Sequence, residues 1–148
     1  MSPLETKVRA LFDAYGKHAD DALRDPPVED IDGLAASFAA YFVGSSPRGV
    51  LGGANDEQFR KVIPQGYAHY RAIGTREMRI RDVRISPIDE HHCVAHVAWT
   101  ADYARKDRPD MSIDFDVHYL VQKLDGEPKV FGGVSGDEQA LLKKHGII

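Results

Sequence analysis

An α+β fold, helices first and strands after, is predicted by three features of the sequence. Apolar residues recur at helical spacing from Leu4 to Ile73, and the period changes to two after Gly74. From His92 onward two long segments carry apolar residues at every odd position. Helices followed by a strand meander cover one face of an antiparallel sheet.

The elements follow in order. Ser2-Pro3-Leu4-Glu5 is a capping box with proline at the first helical position, and Leu4, Val8, Leu11, Phe12 and Tyr15 continue it. That helix ends before Pro26-Pro27. Ile31, Leu34, Ala35, Phe38, Tyr41 and Phe42 predict a second helix, and Gly44 to Gly53 a short strand or hairpin. Asn55-Asp56-Glu57-Gln58 opens a third helix carrying Phe59, Val62, Ile63, Tyr67, Tyr70 and Ile73, with a kink expected at Pro64 and a stop at Gly74. Met78, Ile80, Val83 and Ile85 form a first long strand that needs a bulge near Asp82 to keep all four on one face. His92 to Tyr103 and Met111 to Leu124 are the next two strands. Asp125-Gly126 reads as a hairpin turn, Lys129 to Ser135 as a fourth strand, and Ser135-Gly136-Asp137-Glu138 as the start of a short last helix ending near Gly146.

Strand parity is the sharpest signal. Cys93, Ala95, Val97, Trp99, Ala101 and Tyr103 face the helices together with Ile113, Phe115, Val117, Tyr119 and Val121. A two-residue Asp125-Gly126 turn adds Val130 and Val134 to this face and puts Phe131 on the other, with Leu120 and His118. Val94, Leu120 and Phe131 give that second face apolar area beyond what solvent requires, which predicts a homodimer through it.

Composition narrows the function classes. The 148 residues, 43% hydrophobic and 28% charged, suit one domain spanning 1–148 with a substantial core. A net charge of −4 lacks the footprint of a nucleic-acid binder. There is no long apolar run for a membrane span and no basic-then-apolar N-terminal leader, so a cytoplasmic location is expected. The single cysteine, Cys93, excludes an internal disulfide and falls on the apolar face as an inert thiol. No phosphate loop, nucleophile elbow or zinc-protease motif occurs, and Arg76, Arg79, Arg81 and Arg84 alternate as a solvated strand face.

Element order, the Leu11-Phe12-Asp13-Ala14-Tyr15 segment, Ile31 to Phe42 and the long late strands resemble the NTF2-like superfamily, which includes ketosteroid isomerase, scytalone dehydratase and SnoaL-type cyclases. The resemblance implies a cone: three N-terminal helices against a strongly curved antiparallel sheet, a short C-terminal helix, a pocket on the concave side and a dimer on the convex side. Ketosteroid isomerases carry a tyrosine on the first helix, and Tyr15 matches it. The place of their carboxylate base falls near Ser46, where no acid stands, and that of their second acid near Val117, with Asp116 adjacent but on the opposite face. Asp116 and His118, the one late-strand pair suited to a dehydratase, also fall on the convex side.

The expected pocket lining is Tyr15, Phe38, Tyr41, Tyr67, Trp99 and Tyr119, whose hydroxyl and indole groups set polar points in an apolar cavity. No residue is assigned as catalytic. His92, His96 and His118 with Asp116 have metal-ligand types but no ligand spacing, so neither a metal nor another cofactor is expected. The leading expectation is binding of a small apolar organic molecule. The alternatives are a cofactor-independent lyase, isomerase or cyclase, and a dimeric assembly module with a vestigial pocket.

Overall fold

The computed structural model describes residues 2–148. Among them, α1 (Pro3–Ala22), α2 (Ile31–Ala35), β1 (Phe38–Ser46), β2 (Gly49–Ala54), α3 (Glu57–Ala72), β3 (Thr75–Pro87), β4 (His92–Tyr103), β5 (Met111–Gln122), β6 (Lys129–Ser135) and α4 (Glu138–Lys144) follow one another.

Local chemistry sets the helix ends. Ser2 Oγ accepts the Glu5 N–H at 3.1 Å, and Pro3 fills the first turn where no donor is needed. The caps of α3 and α4 are Asp56 and Asp137, each accepting the amide three residues on at 3.0 Å. The capping residue is thus Asp56 rather than Asn55, and Asp137 rather than Ser135. Helix α3 runs unbroken through Pro64. It stops at Gly74, where φ is +94° and an added Cβ would lie 2.4 Å from the Ala104 carbonyl oxygen.

The first correction concerns Phe38, Tyr41 and Phe42. Helix α2 ends at Ala35, and these three residues lie on strand β1. Their spacing fits a helix, but the aromatic and β-branched run Phe38-Ala39-Ala40-Tyr41-Phe42-Val43 also suits a strand, and sheet partners decide the outcome. Asn55 fixes the junction by donating to the Ala35 and Phe38 carbonyls at 2.8 and 3.1 Å.

The second correction follows from the first. The sheet has six strands in the order β2-β1-β6-β5-β4-β3, and β1 runs parallel to β6 while every other pair is antiparallel. It is mixed and open, with β2 and β3 as unpaired edges, and not the strongly curved antiparallel cone that the sequence implied. The hairpin expected in Gly44 to Gly53 is the β1–β2 turn, with Ser46 opposite Gly49.

In the late strands the predicted parity holds. Cys93 pairs with Val121, Ala95 with Tyr119, Val97 with Val117, Trp99 with Phe115 and Ala101 with Ile113. The β3 bulge falls at Arg81, between Ile80 opposite Trp99 and Asp82 opposite Ala98. Arg81 then donates from Nε and Nη2 to the Trp99 carbonyl at 3.3 and 3.2 Å, occupying an acceptor at the break in the ladder. Val134 is the third correction. Phe131 bulges out of β6 between Val130, opposite Val121, and Gly132, opposite Leu120. The extra residue reverses parity, so Val134 pairs with His118 on the face away from the helices and is 49% exposed.

The core forms where α1 crosses the sheet. Leu4, Val8 and Phe12 are buried against Cys93, Ala95, Val97, Tyr119 and Val121. Helix and sheet meet closely: a Cβ added at Gly16 would lie 3.1 Å from Ile80 Cδ1, and the Arg9 guanidinium donates to the Val83 carbonyl at 2.7 Å. Phe12 is 1% exposed, its ring 5.0 Å from that of Tyr119. Phe12→Ala should therefore destabilise the protein by about 3–5 kcal/mol, read as a lower urea midpoint.

Candidate functional site

Behind that core the helices and the sheet diverge, leaving a chamber of about 600 Å³. Tyr15 and Ala19 of α1 and Leu34 of α2 close one side. Phe59, Val62, Ile63, Gly66, Tyr67 and Tyr70 of α3 form a wall, and Trp99, Tyr103, Ile113, Phe115 and Tyr119 the sheet floor. The α3 residues recur at three- and four-residue intervals, one stripe of the helix. None of them is fully buried, because the stripe faces the chamber rather than a packed neighbour.

Tyr15 is the hub. Its ring meets Trp99, Phe38, Tyr119 and Phe12 edge to face, with centroids 5.9, 6.1, 6.1 and 6.3 Å away. Trp99 is 3% exposed and its ring lies parallel to that of Phe115. The buried indole Nε1–H makes no well-aligned hydrogen bond, and the polar group it acts on is the Tyr119 hydroxyl, whose pKa rise it partly offsets. Burial pushes the hydroxyl pKa values of Tyr15, Tyr67, Tyr70, Tyr103 and Tyr119 up. The neighbouring Tyr119 hydroxyl partly offsets the rise for Tyr15, and the Glu138 carboxylate adds to it for Tyr70. These groups therefore stay protonated at neutral pH and keep an O–H donor each.

Of the six residues predicted to line a pocket, Tyr15, Phe38, Tyr67, Trp99 and Tyr119 come together here. Tyr41 does not: it lies on β1 and is 76% exposed. A helix over that segment would turn it inward, and the strand turns it out. Tyr70, Tyr103, Phe59 and Phe115 join the lining, and the α3 stripe and the odd β4 and β5 positions already carried them.

Three carboxylates lie at the rim of the chamber, and one of them, Glu138, reaches the Tyr70 hydroxyl. Asp116 and Glu138 touch the chamber but are exposed, and Asp116 pairs with Ala98 on the far face of the sheet. Asp137 also borders the chamber. Its carboxylate is held below the usual range by the Ala140 amide and by Arg48, whose Nε lies 3.1 Å away. Cys93 is buried and its thiol is pushed up to about 11, so it is no nucleophile.

His96 and His118 stand directly opposite each other on the face away from the helices, with Nδ1 atoms 2.7 Å apart. Ser86 Oγ meets His96 Nε2 at 3.0 Å. Among the described residues no group of three or more His, Cys, Asp and Glu side chains is placed to hold a metal ion. No helix among them is long and apolar enough to cross a membrane.

The fold is thus a mixed sheet with helices on one face and an aromatic chamber between them. The chain belongs to the NTF2-like protein family DUF6841, whose family model matches residues 5–138. No curated protein matches the chain in sequence. Solved structures share the fold. An NTF2-like protein with a cystatin-like fold from Novosphingobium aromaticivorans superposes with a TM-score of 0.67 at 11% identity, covering 94% of this chain and 88% of that one. Aln2 from a Streptomyces species gives 0.66 at 16% identity, covering 97% and 98%. A ketosteroid isomerase-like protein from Erwinia carotovora atroseptica gives 0.64 at 13% identity, covering 92% and 97%. At these identities the likeness is one of fold.

The buried tyrosines set an alkaline limit. The unfolded chain releases their protons near pH 10, and the native state holds them to higher pH. Above about pH 10 the unfolded state therefore binds fewer protons, so stability is complete below that value and falls as pH rises. Urea unfolding between about pH 8 and 11 should show this fall, and Tyr119→Phe should make it shallower by removing one of the protons concerned.

Proposed function

We propose that this protein binds a small, largely apolar organic molecule that carries a hydrogen-bond acceptor, such as a carbonyl oxygen. One observation carries the reading: an aromatic chamber of about 600 Å³ lined by tyrosines whose hydroxyls stay protonated. An apolar molecule fills the space, and its acceptor takes a hydrogen bond from a tyrosine hydroxyl of the wall.

This reading has more support than a lyase, isomerase or cyclase activity. General acid–base chemistry needs a titrating group within hydrogen-bond reach of the reacting atom. Of the carboxylates bordering the chamber, Asp116 is turned to the other face, Asp137 is engaged as a helix cap and Glu138 sits at the exposed rim against the Tyr70 hydroxyl, and no histidine lines it. The volume of the chamber likewise gives little support to a vestigial, filled pocket.

Trp99 is the only tryptophan, so its fluorescence reports on the chamber alone. Titration with acetophenone should change that emission saturably. Tyr15→Phe should weaken the binding by about 2- to 10-fold, the worth of one net hydrogen bond. A flat titration overturns the reading.

For the opposite face we propose a homodimer. Val43 and Val134 are 48% and 49% exposed there, beside half-buried Val94, Leu120 and Phe131 and the His96–His118 pair. Such contiguous apolar area on a sheet face is characteristic of subunit contacts. Sedimentation at micromolar concentration should give a dimer for the wild type and a monomer for Val134→Glu. A monomeric wild type sinks this proposal.

A further inference from the structure

Charge reaches the chamber from one side and with one sign. Asp116, Asp137 and Glu138 are the charged residues of its lining. No lysine, arginine or histidine stands among them, although the chain carries 19 Lys and Arg against 23 Asp and Glu. The register shows why the three come together. Val117 pairs with Ser135, so Asp116 sits beside the end of β6, and Asp137 and Glu138 follow Ser135 at the start of α4. Tyr15 lies elsewhere, on α1 among the rings of Trp99, Phe38 and Tyr119. The chamber thus joins a tyrosine-lined interior to an acidic rim.

The three carboxylates are not equally free. Asp137 accepts the Ala140 amide at 3.0 Å and has Arg48 Nε 3.1 Å away. Asp116 is turned to the other face of the sheet. Glu138 makes no ion pair among the described residues, and the group it meets is the neutral Tyr70 hydroxyl of the chamber wall. Tyr67 stands next to Tyr70 on the same wall, with ring centroids 6.5 Å apart. Aromatic rings carry negative π-faces, which attract a cation and repel an anion. Walls and rim therefore select in the same direction. A carboxylate or phosphate on the ligand meets repulsion from both, and an ammonium group gains from both.

We infer that the ligand carries a protonated amine at the end that meets Glu138 and Tyr70, with its hydrogen-bond acceptor toward Tyr15. The inference rests on the chamber reading above and adds the charge. It narrows the ligand class from apolar carbonyl compounds to aryl ketones and similar molecules bearing a basic nitrogen a few bonds from the acceptor.

Three ketones that share a phenyl ring, a carbonyl and a three-carbon spacer test it by isothermal titration calorimetry at pH 7. In γ-(dimethylamino)butyrophenone the spacer ends in an ammonium group, in phenyl isohexyl ketone in an uncharged group of the same shape, and in γ-benzoylbutyrate in a carboxylate. The amine should bind about tenfold or more tighter than the uncharged ketone, and the carboxylate at least about tenfold weaker. Glu138→Gln, an exposed change that keeps the size of the side chain, should lower the amine-to-uncharged ratio by about three- to tenfold. Glu90→Gln removes the same charge from the exposed turn between β3 and β4, outside the lining, and should leave the ratio as it is. If the uncharged ketone binds and the amine binds no tighter, the amine end is wrong and the chamber reading stands. The amine end is equally wrong if Glu138→Gln keeps the full ratio, or if Glu90→Gln lowers it as far, since net charge and not the rim then sets the preference. If none of the three ketones binds, both readings fall.

Discussion

The alignment of β4 with β5 is the constraint on which the rest depends. Side chains alternate across a strand, so a slip of one residue would exchange the two faces of the sheet. With Val97 opposite Val117, the run from Cys93 to Tyr103 turns its buried residues to the helices, and Tyr119, Phe115 and Trp99 arrive together beneath Tyr15. The same alignment sends His96 and His118 to the opposite side, where their ring nitrogens meet and neither lines a cavity. Site and outer face are therefore two consequences of a single pairing, and neither can be moved without the other.

That pairing was legible in the sequence because alternation over twelve residues leaves little ambiguity. The β3 bulge was legible for the same reason: Met78, Ile80, Val83 and Ile85 cannot share a face without one extra residue. The β6 bulge was not. Gly132 and Gly133 carry no side chains, so the pattern around Phe131 has too few points to reveal a change of parity, and Val134 falls on the side opposite to its expected one. Strand β1 was hidden differently. Leu34, Phe38, Tyr41 and Phe42 satisfy helical spacing, and what makes Phe38–Ser46 a strand is its pairing with β6, far along the chain. Reading that segment as helix also turns Tyr41 inward and removes the parallel pair that makes the sheet mixed.

The chamber was foreseeable in its aromatic members and not in its extent. Tyr15, Trp99 and Tyr119 announce themselves as large amphipathic residues at core-facing positions. Whether such residues close on one another or stand around a space depends on how the layers diverge, and no local pattern encodes that. The sheet glycines show the same limit. Gly44 and Gly53 fall in the segment read as a short strand or hairpin and Gly133 inside the fourth strand, and only the lateral register across three strands brings them onto one face.

Helix α3 is the longest contact the chamber makes with the helical layer, and no residue in it is fully buried. In most helices of this length an apolar stripe is satisfied by the protein itself. Here the stripe from Phe59 to Tyr70 looks onto space, so the folding free energy of this wall is left partly uncollected until something else supplies the missing surface. An occupant would act as the absent part of the core, and its affinity would be coupled to how firmly α3 is held. Recognition and local cohesion then become a single quantity, set by how much of the stripe the guest can cover.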